Sequence, residues 1–148
     1  MSAINLAQSL IKIKSISPKD EGCFDLVEAE LTPLGFETKR IPELNCETLL
    51  AKFGKSGKVF CFLGHTDIVP SGPEDDWTSP PFEANIINGD LIGRGAADMK
   101  GSVAVFIQSV KKFLTANPNP SFQIWVMLTS NEEGEPEDGK INTLIDSL

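Results

Sequence analysis

The sequence predicts an α/β fold built on a mixed β-sheet. Residues 59–63 and 122–128 are continuous apolar runs, which are typical of strands buried on both faces at the centre of a sheet. Strand-like segments at 36–41 and 48–53 come directly before the first of these runs, so some antiparallel pairing is expected. Segments with helical spacing of apolar residues precede and separate the strands.

Four helices are predicted from this spacing. The first covers residues 4–14, and the second begins at the capping residue Asp20 and ends at 34, before Gly35. The third covers residues 100–117, and a fourth begins at Lys140. The apolar faces are Leu6, Leu10 and Ile13 in the first helix, Phe24, Val27, Leu31 and Leu34 in the second, and Val103, Phe106, Ile107, Val110, Phe113 and Leu114 in the third.

Two connecting segments carry distinct turn signals. Asn88-Gly89 lies between short apolar pairs and predicts a hairpin with a type I′ turn. Residues 70–81 contain four prolines and predict a rigid, exposed loop that forms a wall beside the residues before it.

Composition excludes several classes of function. The chain has 148 residues, 41% of them hydrophobic, and a formal net charge of −8, which argues against nucleic acid as a partner. No apolar stretch approaches the roughly 18 residues needed to cross a bilayer, so no membrane partner is expected. The first residues show no secretory signal, and a cytoplasmic location is expected.

The three cysteines do not form a recognisable motif. Cys23, Cys46 and Cys61 are odd in number and far apart, which argues against a disulfide framework and against a thiolate zinc site. Cys23 and Cys61 lie within predicted apolar elements and are expected to be buried thiols.

His65 is the only histidine in the chain. It follows the apolar run 59–63, from which Gly64 separates it. Asp67 follows at i+2, so both side chains point to the same side of an extended chain. The imidazole could bind a metal through one nitrogen while Asp67 orients it through the other. The alternative is a histidine that caps a strand end beside a solvated aspartate.

Asp98 lies among small residues in Gly93-Arg94-Gly95-Ala96-Ala97-Asp98-Met99-Lys100-Gly101. Small residues let the backbone approach a ligand, and the predicted third helix begins directly after them. A dinucleotide-binding loop is excluded because the third glycine of that pattern is missing and a hairpin precedes it. The alternative is an acid near a helix start, where aspartate is common.

Glu132 and Glu133 follow the apolar run 122–128. Adjacent side chains point in different directions, so one carboxylate could bind a metal and the other could face substrate as a general base. The alternative is a solvated acidic loop, which the further acids Glu135, Glu137 and Asp138 support.

The three motifs together resemble the co-catalytic zinc amidohydrolases of the M20 metallopeptidase family. The residues are Gly64-His65-Thr66-Asp67, the motif 93–101 and Ser130-Asn131-Glu132-Glu133-Gly134, and the resemblance extends to residues 77–82 and the Asn-Gly hairpin. Within the family, the motif 93–101 is most similar to the branch that hydrolyses succinyl-diaminopimelate. The related acetylornithine deacetylases tend to carry Thr-Cys in place of Ala96-Ala97.

This resemblance implies a site with two divalent metal ions, zinc or cobalt, in each full-length subunit. It implies that His65 binds one metal, Glu133 binds the other and Asp98 bridges both. Glu132 would be the general base, and Asp67 would orient His65.

The resemblance also implies details of the fold. The fold would be a three-layer α/β/α structure with a mixed sheet, of the zinc-dependent aminopeptidase and deacylase type, incomplete in this chain. The peptide bond between Asp98 and Met99 would be cis, and Asn131 stands where the family usually has aspartate.

The family takes one further acidic ligand and a second histidine from later in its sequence. Residues 1–148 are therefore expected to be the amino-terminal part of the catalytic domain, without the lid and dimerisation domain, and inactive alone. The full-length enzyme would be a homodimer that hydrolyses a small dicarboxylate amide. Two alternatives remain: another M20 activity, such as acetylornithine deacetylation, and a non-catalytic α/β binding domain.

Overall fold

The computed structural model describes residues 1–135. The helices are α1 (Ala3–Ile11), α2 (Cys23–Leu31) and α3 (Gly101–Ala116). The strands are β1 (Glu37–Glu43), β2 (Cys46–Phe53), β3 (Val59–His65), β4 (Ile86–Ile87), β5 (Asp90–Leu91) and β6 (Gln123–Thr129). The predicted elements up to β6 are confirmed with small shifts at their ends. The helix predicted from Lys140 lies outside the described residues.

Four strands form a mixed sheet in the order β1-β2-β6-β3, which confirms the predicted α/β class. β1 pairs with β2 and β2 with β6 in antiparallel fashion, whereas β3 and β6 are parallel. β6 therefore lies between two strands, as its apolar sequence predicts. In the parallel pair, His65 is the register partner of Thr129, so the carboxyl ends of β3 and β6 lie side by side.

The prediction that β3 is a central strand is wrong within residues 1–135, because β3 lies at an edge of the sheet. Its Phe60 and Phe62 contact Phe106 of α3, so the alternate side chains point to the other face. Val59, Cys61 and Leu63 on that face are exposed, and the expectation of a buried Cys61 thiol is also wrong. An apolar run indicates that both faces of a strand are suited to burial. It does not specify which other strands lie beside that strand in the sheet.

The core lies between the helices and one face of the sheet. α1, α2 and α3 pack on one another and on the inward side chains of β2 and β6. The buried residues include Leu6, Leu10, Phe24, Val27 and Leu31 from the first two helices, Val103, Ile107, Val110 and Leu114 from α3, and Leu49, Ala51, Ile124, Val126 and Leu128 from the sheet. Phe113, predicted to be buried, is 37% exposed because it lies near the end of α3 against Phe122.

Local signals set the ends of several elements as predicted. α2 begins at Cys23 with Gly22 as its N-cap residue, later than predicted, but the Asp20 carboxylate accepts hydrogen bonds from the backbone N–H groups of Gly22 (2.9 Å) and Phe24 (3.0 Å) and so supports the first turn. Asn88 and Gly89 have φ values of 55° and 94° and join β4 to β5 in the predicted hairpin. No helix in the described part of the chain is long and apolar enough to span a membrane.

Candidate metal centre

The parallel pairing of β3 with β6 brings two of the predicted acidic clusters together. The segment after His65 stays beside the segment after Thr129, because the Thr66 N–H donates to the Thr129 carbonyl at 3.1 Å. Glu132 and Glu133 therefore lie next to His65 and Asp67, although more than sixty residues separate the two pairs. Ligand sites of open α/β sheets are found at such strand ends.

The His65 ring has different surroundings at its two nitrogens, and the residue is 3% exposed. Nδ1 lies 3.0 Å from the backbone carbonyl of Asp67 and 3.5 Å from its carboxylate Oδ1. Nε2 lies 3.1 Å from Oδ1 of Asp98 and 3.9 Å from Oε2 of Glu132. Asp67 thus holds the Nδ1 side of the ring, so that Nε2 faces the other carboxylates.

The Asp67 carboxylate is fully buried and accepts several hydrogen bonds. The backbone N–H of Glu132 donates to both of its oxygens at 3.1 and 3.2 Å, and the N–H of Glu133 donates to Oδ2 at 3.1 Å. The hydroxyl of Ser17 also donates to Oδ2. Asp67 therefore holds the backbone of the two glutamates as well as the imidazole.

Asp98 is presented by a tight turn at Ala96–Lys100, directly before α3. The Asp98–Met99 peptide bond is cis, as the family resemblance implies. Gly64 of β3 packs against this turn so closely that a Cβ atom there would lie 2.8 Å from Cε of Met99. The Asp98 side chain is 74% exposed, so its carboxylate remains accessible beside His65.

Lys100 anchors the other end of the same turn. Its side chain is fully buried, and Nζ donates to the carbonyls of Leu10 (2.9 Å) and Ile13 (2.7 Å) at the end of α1. Burial lowers the pKa of Lys100, and the nearby Cys23 and Asp20 act in the opposite direction. The turn that carries Asp98 is thereby tied to α1.

The donor set fits a divalent cation. His65, Glu132 and Glu133 each offer one ligand atom, and these three atoms lie within 4.8 Å of one another. Imidazole nitrogen and carboxylate oxygen together suit zinc and similar divalent metals. Asp98 adds a carboxylate on the Nε2 side of the same ring. The structure thus places all five residues singled out from the sequence within one cluster.

Electrostatics in this cluster favour positive charge. Burial acts to lower the pKa of His65, but the hydrogen bonds and charge of Asp67, with a further bond to Asp98, outweigh it and raise the pKa to about 9. Burial raises the pKa of Glu133, and the charge of Asp98 adds to the effect. A bound cation would relieve the repulsion between these carboxylates.

The pKa of His65 predicts how stability depends on pH in metal-free protein. A folded-state pKa raised from 6.5 to about 9 stabilises the fold fully below pH 6.5, and this contribution is lost as pH rises to 9. We expect the free energy of unfolding to fall by about 2–3 kcal/mol over this range. Urea unfolding at a series of pH values, in the presence of a chelator, measures this fall in the free energy of unfolding. The His65→Gln variant should lack this slope, and an equal slope in that variant would contradict the assignment.

Sequence patterns did not indicate two residues that support the cluster, Ser17 and Lys100. Ser17 lies fifty residues from Asp67, and no local pattern links them. Lys100 is a charged residue in a predicted helix, where an exposed position is the ordinary expectation. The predicted wall at residues 70–81 is a mostly exposed loop, in which Trp77 Nε1 donates to the Ser71 carbonyl at 3.0 Å.

The sequence of this chain is similar to those of several curated proteins. Curated relatives named succinyl-diaminopimelate desuccinylase include one from Halorhodospira halophila, 48% identical over 140 residues, and one from Aromatoleum aromaticum, 43% identical over 143 residues. The alignments cover 94% and 97% of this chain, but only 37% of each relative. The chain therefore spans a little over a third of the length of these relatives.

Solved structures show the same fold. Human carnosine dipeptidase 1 superposes with a TM-score of 0.84 at 22% identity. The superposed region covers 98% of this chain and 34% of the dipeptidase chain. The M20 family metallo-carboxypeptidase Sso-CP2 from Sulfolobus solfataricus superposes with a TM-score of 0.76 at 20% identity. That superposition covers 99% of this chain and 34% of the carboxypeptidase chain. Residues 61–147 match the sequence profile of Peptidase family M20/M25/M40, and on this evidence the chain belongs to that family.

Proposed function

We propose that residues 1–148 are the amino-terminal part of the catalytic domain of a metal-dependent amide hydrolase. The reaction is the hydrolysis of N-succinyl-LL-2,6-diaminopimelate to succinate and LL-2,6-diaminopimelate. The convergence of His65, Glu132 and Glu133, with ligand atoms within 4.8 Å, carries the proposal of a metal centre. The names of relatives at 43–48% identity support the choice of substrate.

In this proposal the residues of the cluster would hold two divalent ions, zinc or cobalt. His65 would bind one ion, Glu133 would bind the other, and Asp98 would offer its carboxylate to both. The chemistry that such ions supply when bound is polarisation of the amide carbonyl and a lowered pKa for the attacking water. The remaining ligands come from sequence beyond residue 148.

Glu132 is the proposed general base. Its side chain is 59% exposed, and its carboxylate faces the His65 ring at 3.9 Å, so it can meet both solvent and substrate. Glu132 takes a proton from the attacking water as the new carbon–oxygen bond forms, and delivers that proton to the amine nitrogen as the carbon–nitrogen bond breaks. Asp67 keeps the imidazole and the two glutamates in place.

The partners follow from the same proposal. The substrate is a small dicarboxylate amide, whose negative charge the bound cations would attract despite the acidic protein. The full-length protein is proposed to be a homodimer in the cytoplasm, without nucleic acid or membrane partners. The net charge of −8 supports the absence of nucleic acid.

The test is an assay of the intact protein, expressed from its complete reading frame, after loading with zinc or cobalt. We expect succinate release from N-succinyl-LL-2,6-diaminopimelate, loss of release with a chelator and recovery with added metal. The isolated 148-residue chain should show no turnover.

N-acetylornithine serves as the comparison substrate. Faster hydrolysis of N-acetylornithine would assign a different M20 activity. Intact protein that neither binds metal nor hydrolyses either compound would indicate a non-catalytic binding domain. Robust turnover by the isolated chain would contradict the proposal that further ligands are needed.

A further inference from the structure

Residues 15–18 form a short strap between the two loops that carry the candidate site. Ile16 and Ile68 form an isolated parallel bridge, the Ile68 N–H donates to the Ser15 carbonyl at 3.0 Å, and the Ser17 N–H donates to the Ile68 carbonyl at 3.2 Å. The hydroxyl of Ser130 donates to the Pro18 carbonyl at 2.8 Å. The strap therefore contacts the segment after β3 on one side and the segment after β6 on the other.

We propose that Ser17 is a positioning residue, whose hydroxyl fixes the Asp67 carboxylate in the orientation that holds the backbone of Glu132 and Glu133 beside His65. The role of Ser17 in catalysis rests on the proposed function, whereas its role in holding the two glutamates does not. Within residues 1–135, the hydrogen bonds of the Ser17 hydroxyl go to the Asp67 carboxylate and the Ile68 carbonyl, and neither residue is a proposed metal ligand.

The geometry of Asp67 supports this role. Its Oδ2 accepts from the Ser17 hydroxyl and from the N–H groups of both glutamates, and rotation of the carboxylate would misalign all three bonds. Hydrogen bonds to a buried carboxylate are among the stronger ones in proteins. The Ser17 backbone N–H donates to the Ile68 carbonyl at 3.2 Å, and this bond fixes the part of the main chain from which the hydroxyl reaches Asp67.

Packing supplies a second observation. Gly134, directly after the two glutamates, lies so close to Ser17 that a Cβ atom at Gly134 would be 3.0 Å from Cβ of Ser17. The glutamate loop thus packs against the same residue that holds Asp67. Ser17 limits the position of this loop both by contact and through the carboxylate.

The test is backbone hydrogen exchange of the intact protein, resolved to single residues by mass spectrometry with electron-transfer fragmentation. In Ser17→Ala, we expect exchange at the Glu132 and Glu133 amides to rise by about tenfold, the effect of losing one hydrogen bond to a charged group. The Ser130 amide, which donates to the Glu47 carbonyl at 3.0 Å, should be unchanged. Ser17→Thr, which keeps a hydroxyl, should restore protection.

Ser15→Ala is the matched control. The Ser15 hydroxyl is buried in the same strap and donates to the backbone carbonyl of Thr66 at 2.7 Å, whereas the Ser17 hydroxyl donates to the Asp67 carboxylate. Ser15→Ala should lower the melting temperature without selectively raising hydrogen exchange at the Glu132 and Glu133 amides. Unchanged exchange at those amides in Ser17→Ala, or the same pattern in Ser15→Ala, would overturn the proposal.

Metal affinity separates this inference from the proposed function. If the site binds metal, Ser17→Ala should weaken zinc binding by about tenfold or more, as loss of a supporting contact does in other metal sites. Absence of zinc binding by the wild-type protein would defeat the proposed function alone, because the exchange measurement decides the positioning role independently. Wild-type zinc affinity in Ser17→Ala would contradict a role in the function.

Discussion

Replacing Glu132 with alanine is expected to lower the turnover of the intact protein by about 10²- to 10⁴-fold, the usual contribution of a general base. Metal content should stay nearly unchanged, because the proposed ligands His65, Asp98 and Glu133 remain. Steady-state kinetics and metal analysis on the same preparations measure both. The two readouts matter because Glu132 also lies within the three-residue group that could hold a metal.

The control is Glu135→Ala, a nearby acid with an exposed side chain, which should keep normal turnover. Near-normal turnover in Glu132→Ala would remove this residue from the mechanism. Loss of metal together with turnover would instead make Glu132 a ligand and leave the base to be found elsewhere.

Replacing His65 with alanine is expected to weaken the binding of one of the two zinc ions to the intact protein by at least about a hundredfold, because a ligand contributes more than the supporting contacts, whose loss costs 10–100-fold. The ring is the one imidazole in this chain, and its Nε2 faces the carboxylates of Asp98 and Glu132. Competition with a chromogenic chelator measures the affinity. Glu133→Ala should weaken the binding of the second zinc ion. The His65 and Glu133 variants should therefore each retain about one equivalent of zinc.

Asp75→Ala on the exposed loop after β3 is the control for a change in overall charge, and it should bind as wild type does. Wild-type affinity and stoichiometry in His65→Ala would show that the imidazole is not a ligand. Loss of both metals in one variant would contradict their assignment to separate residues.

Much of the local structure could be predicted because its causes lie within a few residues. The turn at Asn88-Gly89 follows from positive φ angles that these residues tolerate, and the Asp20 carboxylate supports the first turn of α2 through the Phe24 N–H. The position of β3 could not be predicted in this way. Its apolar residues are compatible with any place in the sheet, and long-range pairing with β6 decides which.

The candidate site was predictable only as separate pieces. His65 with Asp67, Asp98, and the two glutamates each allowed an ordinary alternative when taken alone. Their combination and order along the chain resemble one family, and this resemblance implies a role for each residue. The roles stay predictions until the variants are measured, although the structure brings the residues together.

The amino-acid sequence specifies the type of chemistry available here, namely one imidazole, several carboxylates and an apolar framework of strands and helices. How those groups meet depends on long-range contacts in the folded protein. Ser17 reaches Asp67 across fifty residues, and Lys100 reaches the end of α1 across about ninety. Such contacts leave no periodic trace in the sequence, because they join segments that become neighbours only when the chain folds.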